Sequence, residues 1–345
     1  MSRRLLSGFL GALAVFGCAE ASAPLPPPLE AVLVLDGSDA SITLFDVEAP
    51  LAPDTIPLAA GTSPVAITAR NAWALVSFVE PQVQVVDLEA RTVVRTIGLE
   101  PGAGGAGAAL VDDSIAYVAN PALNTVTRIN YLTGDTASVA VGLSPLAVVA
   151  ARGRVFVINA DMNGATILGP SWVSILDPTT NRPVSGVDSI ALPGPGGAND
   201  ALLASDGIVY VLNPGDGTAG ARLSLLDPVG REELGSFGGF GPVPTGVAAD
   251  PFDRLYVSSP TEGLMVFDRL GRQVTRGSGD GIIIPSLGAL AVDAAGRIYA
   301  LETGGCAPGD HGQVHVLRRN LTTSRLVPAG ACPVDAVVTE IPPAP

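Results

Sequence analysis

The chain contains no lysine; every basic side chain is arginine. It has two histidines, three cysteines and few aromatic residues (5%), and only 15% of its residues are charged. No apolar run reaches the roughly 20 residues a membrane-spanning helix needs, and nothing has the apolar spacing of a long amphipathic helix. Basic residues number 19 against 33 acidic ones, a net charge of −14. Phosphate binding calls for a basic patch, so nucleic acid is not expected as a partner. Solubility is reason enough for the acidity. Two histidines leave a zinc site short of ligands. The chain lacks a C-x-x-C-H haem motif and a nucleophile elbow, so no cofactor is expected.

What is present is Val, Ile, Leu and Ala, interrupted by 41 Gly and 30 Pro. That mixture suits many short strands joined by turns. A length of 345 residues allows one large domain or two average ones. The chain starts with Ser2-Arg3-Arg4 and the apolar run Leu5–Phe16, which is too short to cross a bilayer and reads as a targeting segment. Val15-Phe16-Gly17-Cys18 resembles the lipobox of bacterial lipoproteins. The resemblance implies a signal peptide over residues 1–17 and a lipid on Cys18. Cleavage after Ala21-Ser22-Ala23 is the competing reading, and Pro24 makes that bond a poor site. Residues 18–29 then form a Pro-stiffened tether. The expected location is the cell envelope, lipid-anchored at the periplasmic face of the outer membrane.

Apolar segments recur at Ala31–Asp36, Ala72–Phe78, Ser114–Asn120, Arg154–Ala160, Gly207–Asn213, Arg254–Pro260 and Arg297–Thr303, with starts 41, 42, 40, 53, 47 and 43 residues apart. Such periods match a four-stranded propeller blade. A second strand follows each: Ile42–Asp46, Val83–Asp87, Val126–Asn130, Val173–Asp177, Leu223–Asp227, Leu264–Asp268 and Val314–Arg318. Most end on Asp or Asn ahead of a turn, where a short acceptor can bond the backbone N–H groups that follow. These carboxylates are therefore turn formers and not catalytic acids. The strands that open each unit, such as Pro145–Ala151, are rich in Ala and Val, as the narrow axis of a propeller requires. The final strand, Pro333–Glu340, is of this opening type and would complete the first blade, removing both free sheet edges. The expectation is an all-β, single seven-bladed β-propeller over residues 30–341, with a tail at 342–345.

Ile115-Ala-Tyr-Val-Ala-Asn120, Val126-x-x-Ile-Asn130, Thr133-Gly134 and Gly142-Leu-Ser-Pro145 together resemble the YVTN/YncE-type propeller repeat. The likeness is best in the first three units and weaker in the last two, where Arg318 replaces the terminal Asp. It implies a fold and an exported or surface-associated binding role, and it specifies no chemistry.

Antiparallel order puts the loops after each first-listed strand on the same face as the crossings between blades. The long insertions at 161–171, 214–221 and 304–312 fall there, and long loops on a rigid scaffold are where binding usually resides. Asp161, Asn163, Asp216, Asp310 and His311 are the candidates on this decorated face. Cys306 and Cys332 lie on it too, and in an oxidising compartment are expected to form a disulfide, with free thiols or a metal pair as alternatives. Asn199, Asp200 and Asp335 lie near the starts of opening strands and could face the axis. Gly102–Gly107 fits G-x-G-x-x-G but runs into a strand and not the required helix. His311 and His315 are spaced i, i+4, which pairs ligands only on a helix; no metal is expected there. Asn159-Ala-Asp161-Met-Asn163-Gly164 looks like the start of a calcium loop without its downstream Glu. Asn320-Leu321-Thr322 is a glycosylation sequon with no meaning expected in a bacterial lipoprotein.

The favoured function is a non-enzymatic, monomeric binding or scaffolding module. It would be membrane-tethered and present one loop face to a protein, peptide or envelope polymer. The alternative is a propeller hydrolase or lyase of lactonase type with an axial site.

Overall fold

The computed structural model describes residues 27–217, 220–307 and 309–343. The expected signal peptide, Cys18 and the expected tether up to residue 26 lie outside the described residues. No helix occurs among them; the chain forms seven blades, each a four-stranded antiparallel sheet. In the third blade the order from axis to rim is Ala108–Leu110, Ile115–Asn120, Thr125–Asn130 and Thr136–Ala140. The others follow the same plan. In blade four the outer strand is split into Arg182–Pro183 and Ser189–Ala191, both paired to Trp172–Asp177.

The strands second from the axis are buried along nearly their whole length, as in Ile115–Asn120 and Arg154–Asn159, because a neighbouring blade covers each face. That is why their sequences are continuous apolar runs and not alternating ones. Outer strands face solvent, and Thr136–Ala140 is mostly exposed. The buried apolar side chains fall into seven clusters, one at each blade–blade interface. Leu33 and Ile42 of blade one meet Ile67 and Phe78 of blade two, and on the other side Val34 and Phe45 meet Tyr299 and Val316 of blade seven.

Ring closure is made by the final strand. Pro333–Ile341 pairs antiparallel with Leu29–Asp36, from Leu29 opposite Ile341 to Asp36 opposite Pro333. Pro64, Pro145 and Pro333 each open an inner strand, a position where a missing N–H is tolerated. The turn carboxylates behave as the repeat implies. Asp87 Oδ1 accepts the N–H groups of Glu89 and Ala90, both at 2.9 Å. Asp177, Asp227 and Asp268 do the same in their own turns.

Antiparallel order leaves one face with the crossings and long loops. The other face carries the tight turns, and both Leu29 and Ile341 emerge there as a paired end.

Candidate functional site

Two regions hold the candidate residues: the decorated face and the channel along the axis. On the face, blade four carries a small hairpin, Met162–Asn163 paired with Thr166–Ile167. Asp161 sits at its base with φ of 56°; its N–H donates to Leu143 O and its carbonyl accepts from Leu168 N. The Gly-rich crossing at 193–198 lies against this loop. Gly197 N donates to Ala160 O at 2.7 Å, and Ala198 N donates to Ser171 Oγ at 2.9 Å. The same crossing is bound to blade five, since Asn213 Nδ2 donates to Pro195 O at 2.7 Å. A Cβ on Gly196 would overlap the carbonyls of Ala160 and Gly169, which explains glycine at that contact. The structure thus joins the loop of Asp161 and Asn163 to the blade-five loop that bears Asp216. Asp310 and His311 stand apart, exposed in the blade-seven loop, where Asp310 accepts from Ala307 N.

Cys306 and Cys332 are joined by a disulfide with a Cα–Cα distance of 4.5 Å. It ties the blade-seven loop to the crossing that precedes the ring-closing strand. The end of blade one docks on the same place: Gly37 N donates to Cys332 O at 2.8 Å, and Ser38 Oγ donates to Cys306 O at 3.1 Å.

The calcium-like run does not converge on one point. Asn159 is fully buried; its Oδ1 accepts Gly142 N at 3.0 Å and its Nδ2 donates to Ser174 Oγ at 2.9 Å. Gly142, the glycine of the repeat motif, has no room for a Cβ beside Asn159 and Trp172. Among the described residues no group of three or more His, Cys, Asp or Glu side chains is arranged to hold a metal ion.

His315 has a partner that the sequence did not suggest. Its Nε2 lies 2.7 Å from Glu302 Oε2. Strand register places this pair where Asp36 accepts from Thr43 at 2.7 Å and Asn120 donates to Thr127 at 2.9 Å. The same link joins Asn159 to Ser174. It is a clasp between the second and third strands, and the Asn of the repeat motif serves it. Aligning the ends of the second strands would have found Glu302. Asp36 is the harshest case: burial pushes its carboxyl up to about 6, against the hydrogen bonds from Thr43 and Ser41.

The axial channel is a cavity of about 1100 Å³ that opens between the blades and contains all three axial candidates, Asn199, Asp200 and Asp335. A second cavity of about 460 Å³ continues it past Leu202, Val247, Leu290 and Ala336 toward the opposite face. Register through the second strands defines one level of the channel. Asp335, Ala66, Gly107, Ala147, Asp200, Gly246 and Ala289 occupy equivalent inner-strand positions in blades one to seven. Five of the seven are Gly or Ala, and two are Asp.

An inner strand has a partner on one edge only, so its other edge offers unpaired backbone groups to the axis. Asp200 Oδ2 accepts Val247 N of the next blade at 2.8 Å, and its Oδ1 accepts Ala201 N at 2.8 Å. Asp335 repeats the arrangement, with Oδ2 on Ile67 N at 2.9 Å and Oδ1 on Ala336 N at 2.8 Å. Elsewhere the stitching uses hydroxyls and main chain: Ser77 Oγ donates to Ala106 O at 2.6 Å, Ser258 Oγ to Gly288 O at 2.8 Å, and Gly107 N to Leu146 O at 2.8 Å. Both residues line the channel and are only partly exposed. Burial therefore pushes Asp200 up to about 7, with the Asp335 charge adding to the shift, and pushes Asp335 up to about 6; the amide hydrogen bonds oppose both. Such groups can hold a proton near neutral pH or face a cation.

The fold and this channel define the class: a seven-bladed β-propeller closed by its C-terminal strand. Among solved structures it is similar to a chain of the Kuenenia stuttgartiensis hydrazine synthase, at TM-score 0.62 and 16% sequence identity, covering 90% of this chain and 100% of that one. At that identity the likeness concerns the fold alone. No family model and no curated protein matches the chain.

Proposed function

We infer that the chain is an exported, lipid-tethered, monomeric propeller that binds a protein, peptide or envelope polymer through its decorated face and performs no chemistry there. The observation that carries this reading is the coupling of the blade-four hairpin, the crossing at 193–198 and the blade-five loop into one surface. The entry and exit strands support it, because Leu29 and Ile341 pair at the opposite face. A tether upstream of Leu29 would point the decorated face away from the anchor. Photo-crosslinking in the envelope tests the reading. A crosslinker at Asn163 should give a discrete adduct, and one at Leu270, exposed on the other face, should not. Equal adducts at both sites would defeat it.

A second reading, a hydrolase or lyase of lactonase type, is favoured by one observation: two carboxyls with raised pKa share the channel. It requires lactone turnover that Asp200→Asn abolishes.

A further inference from the structure

We propose that the decorated face is a docking surface for a basic polypeptide segment, one that interleaves arginine or lysine with apolar side chains. The inference deepens the loop-face reading and rests on it.

The acidity of the chain is sorted by face. The loops between second and third strands carry Asp39, Glu80, Asp161, Asp216, Glu262 and Asp310, and the crossings between blades carry Glu100 and Asp280. Neither set contains an arginine, and the chain has no lysine. Two arginines stand at strand ends beside these loops, and both are engaged: Arg276 with Asp280 at 3.2 Å and Arg222 with Ser236 Oγ at 2.7 Å. The tight-turn face is mixed, because Arg91, Arg152, Arg231, Arg272 and Arg318 stand in its turns among the carboxylates. Solubility is served by charge on any side. One sign confined to one face, with no cation in its loops, selects a partner of the opposite sign.

A second feature is independent of charge. Val79, Leu143, Leu168, Val243 and Ile283 project from the same loops and crossings, with Val79 and Leu168 each 58% exposed and Ile283 71% exposed. Single exposed apolar side chains are ordinary on any surface, but these stand beside the carboxylates. Leu143 and Leu168 flank Asp161, whose N–H donates to the first and whose carbonyl accepts from the second. Ser259 Oγ joins Val243 to Glu262, donating to the carbonyl of Val243 at 3.1 Å and accepting the N–H of Glu262 at 3.2 Å. Glu262 Oε2 in turn accepts Gly279 N at 2.8 Å, which brings in the crossing that bears Asp280 and Ile283. Val79 precedes Glu80 directly.

This alternation sets the occupant. Lys and Arg lay an apolar stem along apolar surface while the charged head reaches a carboxylate, and neighbouring apolar side chains of the same segment gain from Leu168 and Ile283. A polymer bearing phosphate or carboxylate groups is repelled by such a face, and a neutral polysaccharide makes no use of its charge.

The test is fluorescence anisotropy of a labelled peptide of four Leu-Arg-Ser-Arg repeats, titrated with the purified full chain at pH 7. Saturable binding is expected, weakened at least tenfold between 20 and 200 mM NaCl as salt screens the face. The triple variant Glu100→Gln, Asp280→Asn, Asp310→Asn should weaken it at least fivefold; all three side chains are exposed, so it should fold. Leu168→Ser with Ile283→Ser keeps every charge and should weaken binding several-fold with the salt dependence unchanged. The same charge loss away from these loops, Glu89→Gln with Asp188→Asn and Glu340→Gln, should change nothing. A peptide of Leu-Glu-Ser-Glu repeats should not bind. The proposal is overturned if no saturable binding occurs, if the acidic peptide binds as tightly, or if the distant triple variant weakens binding as much as the loop-face one. A discrete adduct from the crosslinker at Asn163 together with any of these results strikes the basic partner alone; absence of that adduct strikes the loop-face reading itself.

Discussion

Asp200 of blade five and Asp335 of blade one hold the same position in their inner strands. Each accepts the backbone N–H of the inner strand that follows, Val247 at 2.8 Å and Ile67 at 2.9 Å. One arrangement therefore does two things: it stitches neighbouring blades and places a carboxylate in the channel wall.

Their titration has a definite sign. The folded values of Asp200, Asp335 and Asp36 lie above the ordinary 3.8, at about 7, about 6 and about 6. Such groups favour the fold while protonated, so their contribution is full below pH 3.8 and is lost as pH rises through 6 to 7. Asp200→Asn should flatten this part of the stability profile between pH 4 and 7. At about 1.4 kcal/mol per pH unit, the window bounds the effect at about 4 kcal/mol. Denaturant midpoints measured across that range check it; an unchanged slope in the variant would contradict the burial of Asp200.

Below pH 4 the opposite group takes over. Hydrogen bonds hold Asp54 and Glu80 below their ordinary values, as does the sum of contacts on Asp112 and Asp250. Their contribution is present above the unfolded value and lost as pH falls through the folded one. Acid unfolding should therefore set in below pH 4 and persist in Asp200→Asn.

The disulfide closes a 26-residue separation beside the ring seam. Reducing it, or replacing Cys306 and Cys332 with Ala, should cost about 3–4 kcal/mol by chain entropy. The loss should be local: amide exchange should rise first in Leu29–Asp36 and Pro333–Ile341, whose pairing closes the ring. Uniform acceleration across all blades would contradict that role for the seam.

Glu302 and His315 should be replaceable as a pair. Glu302→Asn with His315→Thr recreates the Asn120–Thr127 link of blade three, and should lie within about 1 kcal/mol of the parent, the worth of one hydrogen bond. His315→Ala alone, which strands Glu302, should be less stable than the pair in thermal melts. The reverse order would deny the clasp.

Among the described residues Arg269 is the buried cation, with its side chain 1% exposed and 3.0 Å from Asp206. It also donates to the carbonyls of Asp250 and Phe252 at 2.8 and 3.0 Å. Arg269→Met should cost about 1–3 kcal/mol, because the carbonyls of Asp250 and Phe252 lose their donor. Equilibrium unfolding checks it, and a loss under 1 kcal/mol would show the network to be incidental.

The propeller was legible because its signals are local. A period near 43 residues, Asp87 and Asp177 before their turns, and Ala-rich opening strands each declare themselves within one blade. The chemistry of the channel was only half legible. Position near the start of an opening strand singled out Asn199, Asp200 and Asp335, but their common level depends on register, and their hydrogen-bond partners belong to the next blade. Val247 lies 47 residues from Asp200, and Ile67 lies 268 from Asp335. Arg269 was invisible for the same reason, since its partners Ser205 and Asp206 lie in the preceding blade. Asp161 and Asp216 were marked by loop length, Asp161 also by its calcium-like run, and the crossing that joins their loops shows only in space.

The measurement that bears most directly on the decorated face is a loop exchange. The blade-four segment 161–171 is replaced by the tight loop of blade three, 121–124, and retention of the immobilised chain's bound material from a bacterial envelope fraction is compared with that of the parent. The loop-face reading predicts at least a tenfold loss of retention by a chain that still melts cooperatively, at a lowered temperature because Ser171 Oγ no longer accepts Ala198 N. Full retention with the loop gone would contradict it.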